Sequence, residues 1–361
     1  MGAQRGTRPT RCALFVNRRM ENRTKLLSLM LGSLLMTGCN SDSSSGGTIP
    51  PEEGSPPNEG EYAWDIDQWK ITIPASKDDW YGSGGTSAAE LEPQHCVSSK
   101  DVLSNDSVIY HKPHDVTFFE VEDERMVFRA NMGFGTTTAN SNYIRSELRE
   151  LFNAQRIGTC STSSSNTSWF IDDKATNTQN HTLKSAVSVD EYPNISGQEP
   201  KVIVGQVHGW KIKQALVKLQ WDGPSKPVRA ILNKDFYKNN QSCEEGTSKY
   251  PECKDWSFSV NLGTYPANMD WNYEITVDGN GIVIRTSDTD GSNVKQHALA
   301  WGEEYHDTNN GTVTLAEGWA DADVAYYFKA GIYPQFRPDE KYAGELFEVS
   351  FSEVEISHTS N

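Results

Sequence analysis

Tyr143-Ile-Arg-Ser-Glu-Leu-Arg149, Gln206-Val-His208 and Tyr327-Phe-Lys-Ala-Gly-Ile-Tyr-Pro-Gln335 are the stretches that decide the fold of this chain. Alternate residues of a β-strand share one face. The alternation predicts polar faces made of Arg145, Glu147 and Arg149, of Gln206 and His208, and of Lys329, Tyr333 and Gln335. The opposite positions are apolar, namely Ile144, Leu148, Val207, Phe328, Ala330 and Ile332. A sheet that is apolar behind and rich in these side chains in front predicts a binding cleft.

Similar alternation recurs along the rest of the chain and predicts the fold class. The segments that show it are Trp69–Ile73, Val116–Val121, Arg125–Arg129, Thr182–Val189, Ala215–Trp221, Asn272–Val277, Gly281–Arg285 and Gly344–Phe351. Asp278-Gly-Asn-Gly281 between two of these segments has the composition of a hairpin turn. Long segments with helical periodicity are nearly absent. We therefore expect an all-β protein, a sandwich or β-jelly roll, with residues 62–361 as a single domain.

The charge of the chain limits its partners. Its 361 residues carry a formal net charge of −16. Such acidity argues against a nucleic-acid binder and against adhesion to an anionic lipid surface. A polyanionic substrate remains compatible if basic residues converge locally, as Arg145, Arg149 and Lys329 do. We expect a monomer that acts without a metal or other cofactor.

The N-terminal segment is predicted to be an export signal. Lys25 precedes the apolar run Leu26–Met36, which is too short to span a bilayer. Met36-Thr-Gly-Cys39 resembles a bacterial lipoprotein signal, in which the cysteine is lipidated. We expect residues 1–39 to be this signal, with Met20 as an alternative start, and residues 40–61 to be a Ser/Gly/Pro tether. Asn40 favours outer-membrane or cell-surface anchoring; the alternative is a cleaved secretory signal with an incidental Cys39.

The remaining cysteines predict disulfides, since the chain is expected to be exported. Cys96, Cys160, Cys243 and Cys253 allow three connectivities. Cys243 and Cys253 flank a short polar loop, so we favour their pairing with each other and that of Cys96 with Cys160. A zinc site is disfavoured because the chain has no Cys-x-x-Cys.

The three opening stretches resemble the signatures of alginate lyases of polysaccharide lyase family 7, namely Arg-(Ser/Thr)-Glu-Leu-Arg, Gln-(Ile/Val)-His and Tyr-Phe-Lys-Ala-Gly-(Val/Ile)-Tyr. All three occur intact and in order. The resemblance covers residue 62 to the C-terminus, and it departs from the family at Pro334, where Asn is common. It implies a jelly roll that cleaves the 4-linked uronates of alginate, mannuronate and guluronate, by β-elimination. Val207 is associated in this family with mannuronate-rich or mixed substrates.

The resemblance also implies roles for the site residues. Gln206 and one of Arg145 or Arg149 would neutralise the substrate carboxylate, because elimination leaves negative charge there. His208 would take the C5 proton and Tyr333 would protonate the leaving O4, or serve as both base and acid on mannuronate. Glu147 would orient the two arginines. Lys329 and Gln335 would hold flanking sugars.

Other functions are open to the same fold. A jelly-roll glycoside hydrolase is disfavoured because no strand carries paired carboxylates at the required spacing. A non-catalytic carbohydrate-binding module could use aromatic platforms such as Trp210, Trp221 and Trp271. A lyase could also act on another polyuronate, such as glucuronan. His111-Lys-Pro-His114 resembles a metal motif but lacks a third ligand, so we interpret it as a loop.

Overall fold

Two large β-sheets account for most of the described chain. The computed structural model describes residues 62–96, 102–139, 141–212, 215–235 and 257–360. These residues belong to one compact unit, Pro57–Asn361. Four predicted features lie outside the described residues: the lipidation of Cys39, the tether at 40–61, and the cysteines Cys243 and Cys253.

The first sheet has ten strands and brings the three motifs together. With strands numbered in chain order, its members are β1 Trp69–Ser76, β2 Ala88–Pro93, β3 Val102–Leu103, β7 Ser146–Glu150, β8 Trp169–Phe170, β10 Val202–Gly209, β11 Ala215–Trp221, β12 Pro227–Asn233, β13 Ser257–Thr264 and β19 Ala325–Pro334. Their order is β13-β12-β11-β10-β19-β7-β1-β2-β3, and β8 pairs with β19 outside this path. The motif strands β10, β19 and β7 are therefore direct neighbours, although they are far apart in sequence.

The second sheet has eight strands and covers the apolar face of the first. Its members are β4 Ile109–His111, β5 Val116–Glu122, β6 Arg125–Asn131, β9 Asn180–Glu191, β14 Trp271–Asp278, β15 Gly281–Asp288, β16 Lys295–Ala300 and β20 Leu346–Thr359. Their order is β16-β15-β14-β9-β20-β6-β5-β4. Asp278 pairs with Gly281, which confirms the predicted hairpin turn.

Short elements complete the described chain. A separate ribbon pairs β17 Glu304–Asp307 with β18 Gly311–Thr314. The helical segments are α1 Lys77–Tyr81, α2 Ala154–Ile157 and the 3-10 turns Ile66–Gln68, Lys112–His114, Ser165–Thr167, Glu317–Ala320 and Glu340–Tyr342. Within the described ranges, no helix has the length and apolar character needed to cross a membrane.

The core lies between the two sheets and follows the predicted alternation. Leu148, Val207 and Phe328 of the motif strands are fully buried, and they pack in one cluster with residues of the second sheet such as Trp271 and Phe351. Burial of such side chains is the main favourable term in folding. The two packed, mainly antiparallel sheets confirm the predicted all-β jelly roll. Trp271 and, like it, Trp221 have no exposed surface, so neither can be the aromatic platform that a binding module would need.

The strand predictions succeed where one face is buried. Ala215–Trp221 matches β11 to the residue, whereas Gly344–Phe351 covers only the first part of β20. The sequence prediction did not identify β16, because four of its six side chains are exposed and show no apolar alternation.

Cys96 and Cys160 are bonded to each other. The bond joins the turn after β2 to the segment after α2, a segment that also supplies Thr162 to the polar face of the first sheet.

Candidate active site

A cleft of about 450 Å³ lies on the face of the ten-stranded sheet that is turned away from the second sheet. It brings together most of the side chains that the motifs predict. Six of them line it, namely Arg145, Arg149, Gln206, His208, Lys329 and Tyr333. Glu147 and Gln335 are not among its lining residues.

Five cross-strand neighbours form a row of polar side chains across the cleft. Lys218 of β11 pairs with Gln206 of β10, which pairs with Lys329 of β19. Lys329 pairs with Arg149 of β7, which pairs with Lys70 of β1. Adjacent strands lie about 4.8 Å apart. Four of the five side chains carry a positive charge, so the row provides the local convergence of charge that an acidic protein needs to bind a polyanion.

Glu147 lies beneath this row. Its carboxylate is almost completely buried and accepts hydrogen bonds from Arg145 Nη1 at 3.0 Å, from Gln206 Nε2 and from Lys329 Nζ. Of the two arginines that it is predicted to orient, Glu147 bonds Arg145, and it makes no hydrogen bond or ion pair with Arg149 in the described structure. The reason is strand order, because β19 and β10 place Lys329 and Gln206 closer to this carboxylate. Glu147 therefore orients one residue from each motif.

The two arginines differ in how many of their donors are already used. Arg149 donates to the carbonyl of Glu150 at 3.0 Å, to Thr167 Oγ1 at 3.4 Å and to Ser168 Oγ at 3.2 Å. Arg145 donates only to Glu147, and its buried Nε has no partner among the described residues. Arg145 thus keeps more N–H groups for a substrate carboxylate, and it is the better candidate of the two.

His208 is held in one tautomer. Its Nδ1 lies 3.0 Å from the carbonyl oxygen of Gly209, which can only accept, so Nδ1 carries the proton and Nε2 is the free acceptor. The ring stacks on Tyr327 with centroids 5.3 Å apart. Burial, together with the charges of Lys329, Arg145 and Lys218, lowers the pKa of His208 to about 3. The imidazole is therefore neutral at ordinary pH and offers Nε2 as a base.

Tyr333 carries a proton that it can give away. Its Oη lies 3.0 Å from Ser141 Oγ, whose own proton is donated to the carbonyl of Tyr143. Tyr333 is therefore the donor in this pair. The guanidinium of Arg145 lies 4.0 Å from the ring centroid of Tyr333. The same guanidinium acts electrostatically on His208, so Arg145 is close to both candidate proton-transfer groups.

Gly331 allows β19 to approach β7 at this site. Its φ is +131°, and a Cβ on it would lie 2.7 Å from the carbonyl oxygen of Ser146. An L side chain would be strained and would push the strands apart. The glycine in Tyr-Phe-Lys-Ala-Gly-Ile-Tyr thus keeps Lys329 and Glu147 in contact.

Two predicted sugar-binding residues are placed differently. Gln335 lies one residue beyond the end of β19, and its amide donates to the carbonyls of Tyr333 and Pro334 at 3.1 and 3.3 Å. Its amide N–H groups are therefore used by its own backbone, and its role in holding a flanking sugar stays a prediction. Lys329 lines the cleft, but its ammonium is buried against Glu147, and burial as the largest influence lowers its pKa to about 8.

Other cleft residues were not identified from the sequence. Among them are Lys70, Glu90, Lys218 and Tyr327, whereas Trp210, predicted only as a platform of the alternative binding module, also lines the cleft. A single lysine within an apolar strand, as in Trp69-Lys-Ile and Val217-Lys-Leu219, was the available signal for the two lysines. Lys70 Nζ bonds Glu90 at 2.8 Å and Thr162 Oγ1 at 3.2 Å. Lys218 has no hydrogen-bond or ion-pair partner in the described structure, and burial followed by the charge of Arg145 lowers its pKa to about 8.

The histidine motif outside the cleft has no metal-site geometry. His111 is buried and stacks against His114 at 5.2 Å and Phe118 at 5.3 Å. Among the described residues, the group of three close metal-ligating side chains is His95, Cys96 and Cys160, and its two cysteines are bonded to each other.

Comparison with known proteins decides the family. A sequence model described as alginate lyase matches residues 64–358. The chain belongs to the alginate lyase family. This confirms the resemblance to polysaccharide lyase family 7, and the chain is a polysaccharide lyase rather than a non-catalytic binding module. No curated protein sequence matches the chain.

Solved structures of alginate lyases share the fold. The alginate lyase from Klebsiella pneumoniae is 17% identical, with a TM-score of 0.58 over 82% of this chain and 97% of that one. The alginate lyase from Pseudomonas aeruginosa is 18% identical, with a TM-score of 0.51 over 82% of this chain and 100% of that one.

Proposed function

We propose that this alginate lyase cleaves 4-linked mannuronate and guluronate by β-elimination, with His208 as base and Tyr333 as acid. On mannuronate, Tyr333 can serve as both base and acid. The observation that supports this most is their convergence in one cationic cleft, one as a neutral base and the other as a proton donor. Family membership supports the same chemistry. Arg145 and Gln206 hold the substrate carboxylate.

The proposed reaction proceeds through charge that develops on this carboxylate. Nε2 of His208 takes the C5 proton, and the electron pair of the C5–H bond is delocalised into the carboxylate. Arg145 and the second amide N–H of Gln206 stabilise that charge, since the first is donated to Glu147. The pair then forms the C4–C5 double bond as the C4–O4 bond breaks. O4 receives the proton of Tyr333, so one saturated chain end and one unsaturated uronate result.

Substrate binding should make His208 a stronger base. In the free cleft, Lys329, Arg145 and Lys218 disfavour the imidazolium. A bound uronate adds negative charges beside these cations and offsets their effect. The pKa of His208 then rises toward the range in which proton transfer is efficient. Binding of the polyanion thus makes His208 a better base for removal of the C5 proton.

The products of purified protein on defined polymers test this proposal. Alginate, polymannuronate, polyguluronate and glucuronan are supplied separately, and ultraviolet absorbance of the unsaturated uronate is followed. We expect absorbance to rise with alginate and its block polymers, with mannuronate-rich or mixed material favoured because of Val207. If unsaturated products formed from glucuronan alone, the substrate would be glucuronan and not alginate. No unsaturated product from any polymer would refute the elimination.

We also propose that the enzyme is exported and anchored by a lipid on Cys39. The support is the sequence Met36-Thr-Gly-Cys39 after an apolar run, followed by a Ser/Gly/Pro tether at 40–61. The outer membrane or the cell surface is the proposed location. Cys39→Ala should release the enzyme from the membrane fraction or block processing. An unchanged membrane fraction for Cys39→Ala would contradict the anchor.

A further inference from the structure

Three titratable side chains cross the core behind the cleft. Glu150, the last residue of β7, is fully buried. Its carboxylate accepts hydrogen bonds from Trp169 Nε1 at 2.9 Å, from the backbone N–H of Phe328 at 2.8 Å and from His358 Nε2 at 2.7 Å. His358 belongs to β20 of the second sheet, and its Nδ1 lies 2.8 Å from Nδ1 of the buried His181. This chain of contacts links both sheets.

The hydrogen-bond pattern fixes the number of protons that these three groups share. His181 Nε2 faces the carbonyl of Ile171 at 3.2 Å and must carry a proton. The Nδ1–Nδ1 contact needs one more, and the contact between His358 Nε2 and Glu150 Oε1 needs a third. With Glu150 as the acceptor, two neutral imidazoles are one proton short, so one of the rings is then an imidazolium.

The direct contact with the Glu150 carboxylate favours His358 as the ring that carries the charge. Burial, and next the charge of His358, lowers the pKa of His181 to about 4. The other charged groups around the pair are Glu150, which His358 contacts directly, Asp173 near His181, and Arg149, which donates to the Glu150 carbonyl. An imidazolium on His358 and a carboxylate on Glu150 balance each other in the core.

This pair is connected to the cleft through two bonds of Glu150. Its carboxylate accepts a hydrogen bond from the backbone N–H of Phe328, and its backbone carbonyl accepts one from the guanidinium of Arg149. Tyr327, which precedes Phe328, stacks on His208. Its ring centroid lies 4.1 Å from the guanidinium carbon of Arg149. A neutral His358 has one proton for two contacts. Either its Nε2 lone pair would face the Glu150 carboxylate, or its Nδ1 lone pair would face that of His181 Nδ1. The strand contacts that carry Tyr327 would then shift.

We propose that His358, as an imidazolium paired with Glu150, is a positioning residue for the cleft. It fixes the Glu150 carboxylate between β7 and β19 and thereby fixes Tyr327, Arg149 and the ring of His208. The role in catalysis rests on the proposed lyase function, whereas the charge state of His358 can be measured without substrate.

Nitrogen NMR of the full chain with ¹⁵N-labelled histidine tests the charge state. The ring-nitrogen signals that disappear in His358→Gln are assigned to His358. We expect two protonated ring nitrogens on His358 at neutral pH in the wild type and only one in Glu150→Gln, where the carboxylate is absent. A single protonated nitrogen on His358 in the wild type would overturn the proposal, whether or not the protein cleaves alginate.

Kinetics of His358→Gln test the positioning role. Gln keeps one N–H for Glu150 but cannot carry the charge. We expect kcat on the preferred polymer to fall about tenfold with KM changed less than about twofold, because small misplacements of catalytic groups have effects of this size. The matched control is His306→Gln on the separate ribbon, which should keep wild-type kcat. A kcat for His358→Gln within twofold of an active wild type would refute the role, whereas an inactive wild type refutes the proposed function instead.

Discussion

We expect the charge of Lys218 to lower the free energy of unfolding of the protein and to strengthen binding of the polymer. Lys218→Met should therefore be more stable than the wild type and bind the polymer more weakly. Lys218 is half-buried in the cleft, where the charge of Arg145 acts on its ammonium, and it has no anionic partner among the described residues. The pKa of Lys218 is lowered from an ordinary value of 10.5 to about 8, which means that folding disfavours the charged form. Each pKa unit corresponds to about 1.4 kcal/mol, and water in the open cleft screens part of the effect, so the destabilisation is about 1–3 kcal/mol.

The sign of the pH dependence follows from the lowered pKa. Below pH 8 both the folded and the unfolded chain carry the Lys218 charge, and the destabilisation is fully present. Between pH 8 and 10.5 the unfolded chain binds the additional proton, so the destabilisation decreases as pH rises. Lys218→Met should therefore increase the free energy of unfolding at pH 7 by about 1–3 kcal/mol, and the gain should vanish toward pH 10.5.

The same substitution should weaken binding of the polymer. Lys218 lies beside Gln206 at one end of the cationic row, where a uronate carboxylate can pair with it. Loss of a charge-assisted hydrogen bond of roughly 1.5–3 kcal/mol should raise KM about tenfold or more. Urea unfolding at two pH values and initial rates on alginate measure both effects. Lys295→Met, at an exposed position of β16, is the control and should change neither.

Either of two outcomes would refute this reasoning about Lys218. A Lys218→Met protein less stable than the wild type at pH 7 would show that the charge is compensated in the folded state. An unchanged KM would show that Lys218 does not meet the substrate.

Three further predictions concern the cleft. His208→Ala should reduce turnover more on polyguluronate, which needs a base opposite the acid, than on polymannuronate, where Tyr333 can act alone; equal losses on both polymers would contradict this division. Glu147→Gln should lower kcat by about tenfold or more, because Arg145, Gln206 and Lys329 lose their shared carboxylate; rates near those of the wild type would show that these side chains keep their positions without it. Exhaustive chelation and desalting should leave turnover intact, since Arg145 and Gln206 neutralise the carboxylate; activity that returned only with a divalent ion would contradict that assignment.

The sequence predicted the fold because one face of each central strand is buried. Leu148, Val207 and Phe328 alternate with polar residues. Such alternation puts all the apolar side chains of a strand on one face, which is the pattern of a sheet with one buried side. The same alternation correctly placed Arg145, His208 and Tyr333 on the cleft face. Strands that lie at a sheet edge, such as Lys295–Ala300, carry no such signal.

Contacts between strands could not be predicted from the motifs, because they depend on strand order. Glu147 was expected to pair with its neighbours in sequence, but β19 and β10 bring Lys329 and Gln206 to it. Gln335 continues the alternation in sequence, yet β19 ends at Pro334 and the side chain turns back to its own backbone. His358 is far from every motif in sequence and meets Glu150 only when the sheets pack.

The turnover of Tyr333→Phe on alginate tests the central claim most directly. The substitution removes one hydroxyl and keeps the ring under Arg145, so the melting temperature and KM should stay close to those of the wild type. If Tyr333 protonates the leaving O4, formation of unsaturated product should slow by about 10²-fold or more, as loss of a general acid typically does. Turnover of Tyr333→Phe near the wild-type rate on both polymannuronate and polyguluronate would contradict the account and leave His208 or water as the acid.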